Sequence, residues 1–284
     1  MQLSIITINY NNAQGLKKTL ESVASQTCKD FEHVIIDGGS TDGSKEIIEE
    51  YANVAPYSVS WVSEKDNGIY NAMNKGIKRA LGEYIQILNS GDCLASGDVM
   101  ERMFNALNEV NAKESENVPI LYGNMLKDYG NGNVNRDTCG SNNYTPSSFL
   151  YFYKGTLNHD CAYIRRDLFD KYGYYNEQMK ICSDWEWYVR AIIIGGEKTY
   201  YTDINVTIFD MNGVSESGGV NNDVIQKERR EYLESILYPS VLKDYDMYSF
   251  PITQYNRLKR YHLWGFVYLC ERILFKLEKW KILR

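Results

Sequence analysis

The chain has 284 residues, 44% of them hydrophobic, with a formal net charge of -6 and a pI near 5.3. That length supports one large domain with a full core, or one domain and an appendage, and the acidic balance excludes a nucleic-acid binder that works by bulk charge. The charge is uneven, since Arg257 to Arg284 holds eight Lys/Arg and two Glu, a local +6 that leaves -12 elsewhere, and such asymmetry asks for a partner at the basic end.

In chain order, LSIITINYNN (3–12) is a β-branched apolar run that breaks at Asn-Asn, and AQGLKKTLESVASQ (13–26) has Leu16, Leu20 and Val23 at helical period. FEHVIIDGGSTDGS (31–44) reads as a strand into a Gly/Ser/Asp turn, SKEIIEEYANVA (44–55) as a helix and YSVSWVSE (57–64) as a strand. GIYNAMNKGIKRAL (68–81) places Ile69, Met73, Ile77 and Leu81 on one helix face, and GEYIQIL (82–88) is another strand. Short apolar strands alternating with amphipathic helices predict an α/β fold with a parallel sheet covered on both faces. Ligands of such sheets bind beyond the carboxyl ends of the strands. The polar turns Asn9–Asn12, Asp37–Ser44, Glu64–Asn67 and Asn89–Asp92 fall at those ends and converge on one rim. A dinucleotide-binding dehydrogenase is disfavoured, because NYNNAQG after the first strand lacks the G-x-G-x-x-G spacing.

Residues 98 to 113 read as a helix, ILYGNML (120–126) as a strand, and Tyr129 to Ser148 as one long loop. The pattern resumes with CAYIRRDLFDKYG, DWEWYVRAIIIGG and KTYYTDINVTIFD, passes the loop GVSESGG (213–219), and ends in two or three helices broken near Pro239 and Pro251. The six cysteines form no CxxC pair and no Cys/His cluster of zinc spacing, and read as reduced thiols in a cytosolic protein. No signal peptide is read at the N-terminus, and no run of 18 uncharged apolar residues offers a bilayer span.

Taken together, SIITINYNNAQGLKKTLESVASQT, IIDGGSTDGS and EKDNGIYNAMNKGIKRALGEYIQILNSGD resemble the family 2 glycosyltransferases of GT-A fold over about residues 2 to 218. Within that family they are most similar to the bacterial polysaccharide-biosynthesis branch that includes the colanic-acid type enzymes. The resemblance implies a Rossmann-like, mostly parallel sheet over residues 1–218 and a helical extension over 219–284. It also implies a nucleotide-diphosphate sugar donor (UDP favoured), a divalent metal (Mn²⁺ or Mg²⁺), inversion at the anomeric carbon, and a glycan or lipid-linked acceptor.

The residues themselves offer a group for each task. Thr7 and Tyr10 close the first strand and Asp37 the second, and a strand-end acid accepts from a base imide or a ribose hydroxyl. The resemblance gives that role to Asp37 and a further nucleotide contact to Asp66, whereas Asp42 reads as a turn former and helix cap. IQILNSGDCL (85–94) stops a buried strand on a tight turn. The family pattern there is Asp-x-Asp, but Asn89 takes the first acidic place and Gly91 the second, leaving Asp92 as the one carboxylate. Magnesium and manganese bind carboxylate oxygen plus substrate phosphates, so Asp92 reads as the metal ligand, and Asn89 as a neutral carbonyl that assists or orients the ribose or sugar.

In ICSDWEWYVRA (181–191), Asp184 follows Ser183 at a helix start and matches the family's acidic motif. It is the candidate general base, with a moderately raised pKa to be supplied by burial. Glu186 is the second choice, and Trp185 and Trp187 either stack on a sugar ring or belong to the core. His159 matches a histidine of the family branch and lines a sugar pocket or holds structure by hydrogen bonds. Arg165 and Arg166 meet phosphate or form a solvated pair, and MNGVSESGG (211–219) resembles the loop that closes over the diphosphate, or is a surface turn.

NRLKRYHLWGFVYLCERILFKLEKWKILR (256–284) sets apolar residues at helical spacing between Lys and Arg, with Trp264 and Trp280 near its ends. This composition suits an interfacial helix on an anionic membrane surface, or a helix packed on protein. The expected place is therefore the cytoplasm, peripheral on the inner face of the cytoplasmic membrane. Two other classes stay open: a sugar nucleotidyltransferase, for which NYNNAQGLKK is a poor Gly-rich loop, and a non-catalytic nucleotide-sugar-binding subunit.

Overall fold

The computed structural model describes residues 2–130, 134–137, 148–211 and 220–279. The first strands, β1 (Leu3–Asn9) and β2 (Phe31–Asp37), are buried at every residue, as expected of parallel strands covered on both faces. They pair in parallel, and β3 (Ser58–Ser63) adds to β2. Between them run α1 (Ala13–Ala24), whose first turn is capped by Asn12 accepting from the Gly15 N–H, and α2 (Ser44–Val54). The next crossover, α3 (Ile69–Arg79), carries the chain past β1 to its other side, where β4 (Tyr84–Ile87) pairs with β1. β1 thus has β2 on one side and β4 on the other, which makes the gap between their carboxyl ends the switch point of the sheet.

The rest of the sheet is mixed. β5 (Cys93–Leu94), α4 (Val99–Asn111), β6 (Ile120–Asp128), β7 (Val134–Asp137), β8 (Ala162–Arg165) and β9 (Thr199–Asp210) complete the order β3-β2-β1-β4-β8-β6-β9-β5, with β7 on β6. β8 runs antiparallel to β4 and β6, and β9 runs parallel to β6. Short helices α5 (Phe149–Lys154), α6 (Asp167–Tyr172) and α7 (Ser183–Tyr188) lie between these strands, and α7 continues directly into a π turn, Val189–Ile194. The larger core cluster gathers Leu3, Ile5, Met100, Met103, Tyr163 and Val206 from both halves of the sheet.

The contacts divide the chain into two compact units, Met1–Tyr232 and Leu233–Arg284. Three helices fill the C-terminal part: α8 (Val220–Ile236), α9 (Pro239–Arg260) and α10 (Trp264–Lys279). Two sequence expectations change. Pro239 starts a helix, where its missing N–H costs nothing, but Pro251 lies inside α9 and does not break it. The stretch Tyr129 to Ser148 is not one plain loop, because β7 pairs with β6 within it. The backbone of Met125–Asp128 at the end of β6 gives β7 a ladder, a pairing that local composition does not announce. MNGVSESGG beyond Met211, Cys139 and Trp280 lie outside the described residues.

α3 sits close against the sheet. A Cβ on Gly76 would lie 2.3 Å from Ile6 Cγ2 on β1. Gly→Ala in a helix interior normally gains about 1 kcal/mol, but here it overpacks a fully buried contact, which costs about 1–3 kcal/mol. Gly76→Ala is therefore expected to lower the urea midpoint, and an unchanged or raised midpoint would show that α3 is not held this tightly.

Candidate active site

At the switch point β1 and β2 end in register, Asn9 against Asp37. Asn9 Nδ2 donates to Asp37 Oδ1 at 2.8 Å, the Ser40 hydroxyl and N–H donate at 2.5 and 3.0 Å, and the Ser63 hydroxyl at 2.6 Å. Burial pushes the Asp37 carboxyl up, but the hydrogen bonds from Ser40, Ser63 and Asn9 outweigh it and hold the group below the usual carboxylate range. Asp37 is thus a buried, ionised anchor, and Asn9 Oδ1 is left buried without a partner. Gly38 lies beside the Tyr10 ring and Asp66, since a Cβ there would be 3.1 Å from Tyr10 Cδ2 and 3.2 Å from Asp66 Oδ2. The Tyr10 ring is 69% exposed, and Asp66 is paired with Lys75 at 2.6 Å. A flat exposed ring, an acid and a buried carboxylate therefore meet at one strand edge. Thr7 does not join them. Its buried hydroxyl bonds His33 Nε2 at 2.9 Å, in a chain that runs on through Tyr51 to Tyr57. Burial lowers His33 to about 3, so that ring is neutral.

The turn after β4 is held from α1. Gly91 adopts φ +113, a conformation that favours glycine, and its N–H donates to the Thr19 hydroxyl, which in turn donates to the Asp92 carbonyl at 2.7 Å. Asn12 Nδ2 donates to the Ser90 carbonyl at 3.0 Å and ties the first turn to this one. Asp42, as read from the sequence, accepts from Ser44 and from the Ala13 N–H. Asp92 is almost fully buried at this turn.

Across the turn stands a dyad that the sequence does not show. His159 Nδ1 lies 3.2 Å from Asp184 Oδ2, and His159 Nε2 lies 3.2 Å from Asn89 Nδ2. The Tyr70 hydroxyl, from the first turn of α3, donates to the Ile181 carbonyl and reaches Asp184 Oδ1 at 3.2 Å. Burial pushes the Asp184 carboxyl up, but the hydrogen bond and charge of His159, the Trp185 N–H and the Tyr70 hydroxyl together bring it below the usual value. This corrects the expectation of a raised pKa, because burial acts together with a cationic partner. Burial pulls the His159 imidazole down, but the hydrogen bond and charge of Asp184, then the charges of Asp160 and Asp92, raise it overall. Asp160, buried beside it, is pushed up by burial and accepts from the Thr207 hydroxyl at 2.9 Å.

The position of Asn89 explains why an amide stands there. With Nδ1–H directed at Asp184, Nε2 accepts from the amide N–H when the ring is neutral and donates to the amide oxygen when it is protonated, so an amide serves both states of His159. An acid at position 89 would add a carboxylate to a buried group that already holds Asp92, Asp160 and Asp184, and like charges so placed resist ionising together.

Two sequence candidates move out of the site. Trp185 is buried and donates from Nε1 to the Phe152 carbonyl at 2.8 Å, so it is core. Glu186 is held by Arg190 at 2.8 and 3.0 Å and is likewise buried. Trp187 stacks on Phe169 at 4.5 Å. A helix turns its successive side chains apart, so only one acid of SDWEW faces His159. Arg165 and Arg166 line an open cleft with Glu83, Glu116, Asn117 and Asp167 at the opposite end of β4, where Tyr84 pairs with Arg165. Asn9 and Tyr70 were missed. Asn9 is visible only as part of NYNN, and Tyr70 lies too far from Asp184 in sequence to be linked to it.

A divalent metal fits this turn under one condition. Asp92 offers a hard carboxylate oxygen, and Asn89 Oδ1 on the same turn is buried without a partner. Among the described residues no group of three or more His, Cys, Asp or Glu could hold an ion. The donor set therefore suits a cation whose remaining ligands are substrate oxygens.

This fold belongs to a known class. Residues 4–173 match the model of glycosyl transferase family 2, and the chain belongs to that family. A PGL/p-HBAD biosynthesis glycosyltransferase of Mycobacterium bovis is 29% identical over 229 residues, covering 79% of this chain and 81% of that protein. An uncharacterized glycosyltransferase of Mycobacterium tuberculosis is 31% identical over 196 residues, with 68% and 69% covered. Among solved structures, S. aureus TarS 1-349 in complex with UDP-GlcNAc superposes with a TM-score of 0.63 at 22% identity, over 84% of this chain and 69% of that one. The chain spans 41% of a longer TarS structure. A mannosyltransferase of Pyrobaculum calidifontis in complex with GDP-Man and Mn²⁺ gives 0.54 at 19%, over 73% and 56%. The fold is GT-A.

The dyad carries a pH signature. The folded pKa of His159 is raised, so its contribution to stability is complete below about pH 6.5 and fades as pH rises through the folded value. Asp184 is lowered, so its contribution is present above about pH 3.9 and is lost as pH falls through its folded value. Asp184→Asn is therefore expected to cost about 3 kcal/mol in urea unfolding at pH 5.5 and clearly less at pH 9. An equal loss at both values would show that the two groups do not form an ion pair.

Proposed function

We propose that the protein transfers a sugar from a nucleotide-diphosphate sugar to a hydroxyl of a glycan or lipid-linked acceptor, with inversion, in surface polysaccharide or glycolipid assembly. The observation that carries this reading is the partly buried Asp184–His159 pair set across the switch point from the Asp92 turn. Tyr10, Asp37 and Asp66 form the edge suited to a base and ribose, and UDP is favoured because TarS, of like fold, is described with UDP-GlcNAc. Asn89 Oδ1 is the spare acceptor for a ribose or sugar hydroxyl. Asp92 would hold Mn²⁺ or Mg²⁺, and the ion when bound supplies Lewis-acid stabilisation of the leaving diphosphate.

The chain's own residues then prepare the acceptor. His159 keeps Asp184 ionised, and Tyr70 and His159 fix one oxygen each. The remaining lone pairs of the carboxylate can take the acceptor proton as the oxygen attacks the anomeric carbon from the face opposite the diphosphate. No covalent intermediate is required.

The test is calorimetric binding of UDP and GDP, each with and without Mn²⁺, together with UDP release from a panel of UDP-sugars. Tight UDP binding that needs the metal supports the reading, and binding of neither nucleotide overturns it. Asp184→Asn is expected to lower UDP release by about 10²–10⁴-fold while UDP affinity stays within a few-fold. Retained turnover would remove Asp184 from the role of base.

The C-terminal helices support a membrane-surface partner. Among the described residues no helix is long and apolar enough to cross a membrane. Yet Phe266, Leu269 and Ile273, on one face of α10, are 68%, 54% and 49% exposed, and Arg272 and Lys276 are exposed beside them. Apolar side chains interleaved with cations suit an anionic lipid surface that the helix lies on. Phe266→Glu with Ile273→Glu is expected to abolish co-sedimentation with vesicles containing phosphatidylglycerol. Undiminished sedimentation would reject the lipid partner.

A further inference from the structure

The residues that lead into α7 are gripped by a helix the reaction scheme does not use. Glu228, on α8, accepts from three successive backbone N–H groups: Lys180 at 2.6 Å, Ile181 at 3.1 Å and Cys182 at 3.0 Å. Three donors converging on one carboxylate make an anion nest, occupied here by the chain's own side chain. Charge-assisted hydrogen bonds of this kind are the strong ones. α7 has no side-chain cap of its own at Cys182, and these bonds fix the chain that enters it.

The same face of α8 makes further contacts with this segment. The Ile225 carbonyl accepts from the Cys182 thiol at 3.8 Å, the Arg229 guanidinium lies 5.0 Å over the Trp185 ring, and Tyr232 meets that ring edge-on at 5.8 Å. Positions 225, 228, 229 and 232 follow i, i+3, i+4, i+7, which is one stripe of a helix. From the opposite side the Tyr70 hydroxyl donates to the Ile181 carbonyl and lies 3.2 Å from Asp184 Oδ1. The residue Ile181 is thus held at its N–H by Glu228 and at its C=O by Tyr70, two residues before Ser183 opens α7.

We propose that Glu228 is a positioning residue for transfer: by fixing the peptides of Lys180, Ile181 and Cys182 it sets where the Asp184 carboxylate stands. The proposal rests on the reading of Asp184 as the base. Misplacing a reacting group by about 1 Å can cost about 10²-fold in rate, so the anchor acts on turnover and not on donor binding, whose residues lie on other turns.

The test is Glu228→Gln, which keeps the size of the side chain but leaves one acceptor oxygen in place of two and no charge. Three readouts are compared with the wild type: kcat and donor KM for UDP release, amide hydrogen exchange, and the His159 ring resonances. The chain has three histidines, and only His159 touches Asp184, so its resonances report the carboxylate's place without turnover. The expected result is a kcat lowered about 10–100-fold with donor KM within about twofold. Faster exchange confined to residues 180–186 and a shift of the His159 signals, with His33 and His262 unmoved, complete it. Unchanged exchange would show that Glu228 does not hold the segment, and faster exchange with unmoved His159 signals and unchanged kcat would show that it does not position Asp184. Either overturns the proposal. If Glu228→Gln does not fold, Glu228→Asp, one methylene shorter, is read the same way. A wild type inactive on every donor counts against glycosyl transfer, and the exchange and resonance data then decide the positioning role alone.

Discussion

The site depends on one partly buried ion pair, His159 with Asp184. It joins two parts of the chain that share no secondary structure: the 3₁₀ turn before β8 and the first turn of α7. A carboxylate taken out of water alone would protonate. The imidazole beside it reverses that tendency, and Tyr70 supplies a second donor. The dyad in turn constrains position 89, whose side chain touches the far nitrogen of His159. The composition of the turn after β4 is therefore tied to the charge state of a residue from a separate element.

The sheet makes this meeting place. Strand order puts β1 between β2 and β4, so the chain reverses its direction of addition there and leaves a crevice at the carboxyl ends. The turns around the crevice are fastened to one another rather than left loose. Asn12 bonds the Ser90 carbonyl, Asp42 bonds the Ala13 N–H, and Thr19 bridges the Gly91 turn to α1. A rim tied in this way holds donor groups still without ligand, which lowers the ordering cost of binding.

Burial also sorts the acids into separate duties. Asp37 is surrounded by donors and is fixed as an anion. Asp160 has burial against it and is pushed toward the neutral form. Glu186 is neutralised by Arg190 and serves the packing of α7. Asp184 is ionised beside His159, with Tyr70 as a further neighbour. Composition lists these four as equivalent carboxylates, and only their neighbours distinguish them.

What the sequence determined by itself is the first half of the fold and the order of its turns. Short continuous apolar runs, helices of period 3.6, and Gly/Asn/Asp turns are local signals, so β1 through β4 and the rim that carries Asp37 and Asp92 were legible in the residues. The resemblance that marked Asp184 was legible for the same reason, as a run of adjacent residues. What only the tertiary structure decided involves partners far apart in the chain. It withdrew Thr7, Trp185 and Glu186 into the interior, because the side on which a residue faces its neighbours depends on packing. It carried α9 through Pro251 and paired β7 with β6. It also brought Asn89, His159, Tyr70 and Asp184 together, and with them Glu228, since no local pattern encodes a hydrogen bond between residues separated by 114 positions, as Tyr70 and Asp184 are.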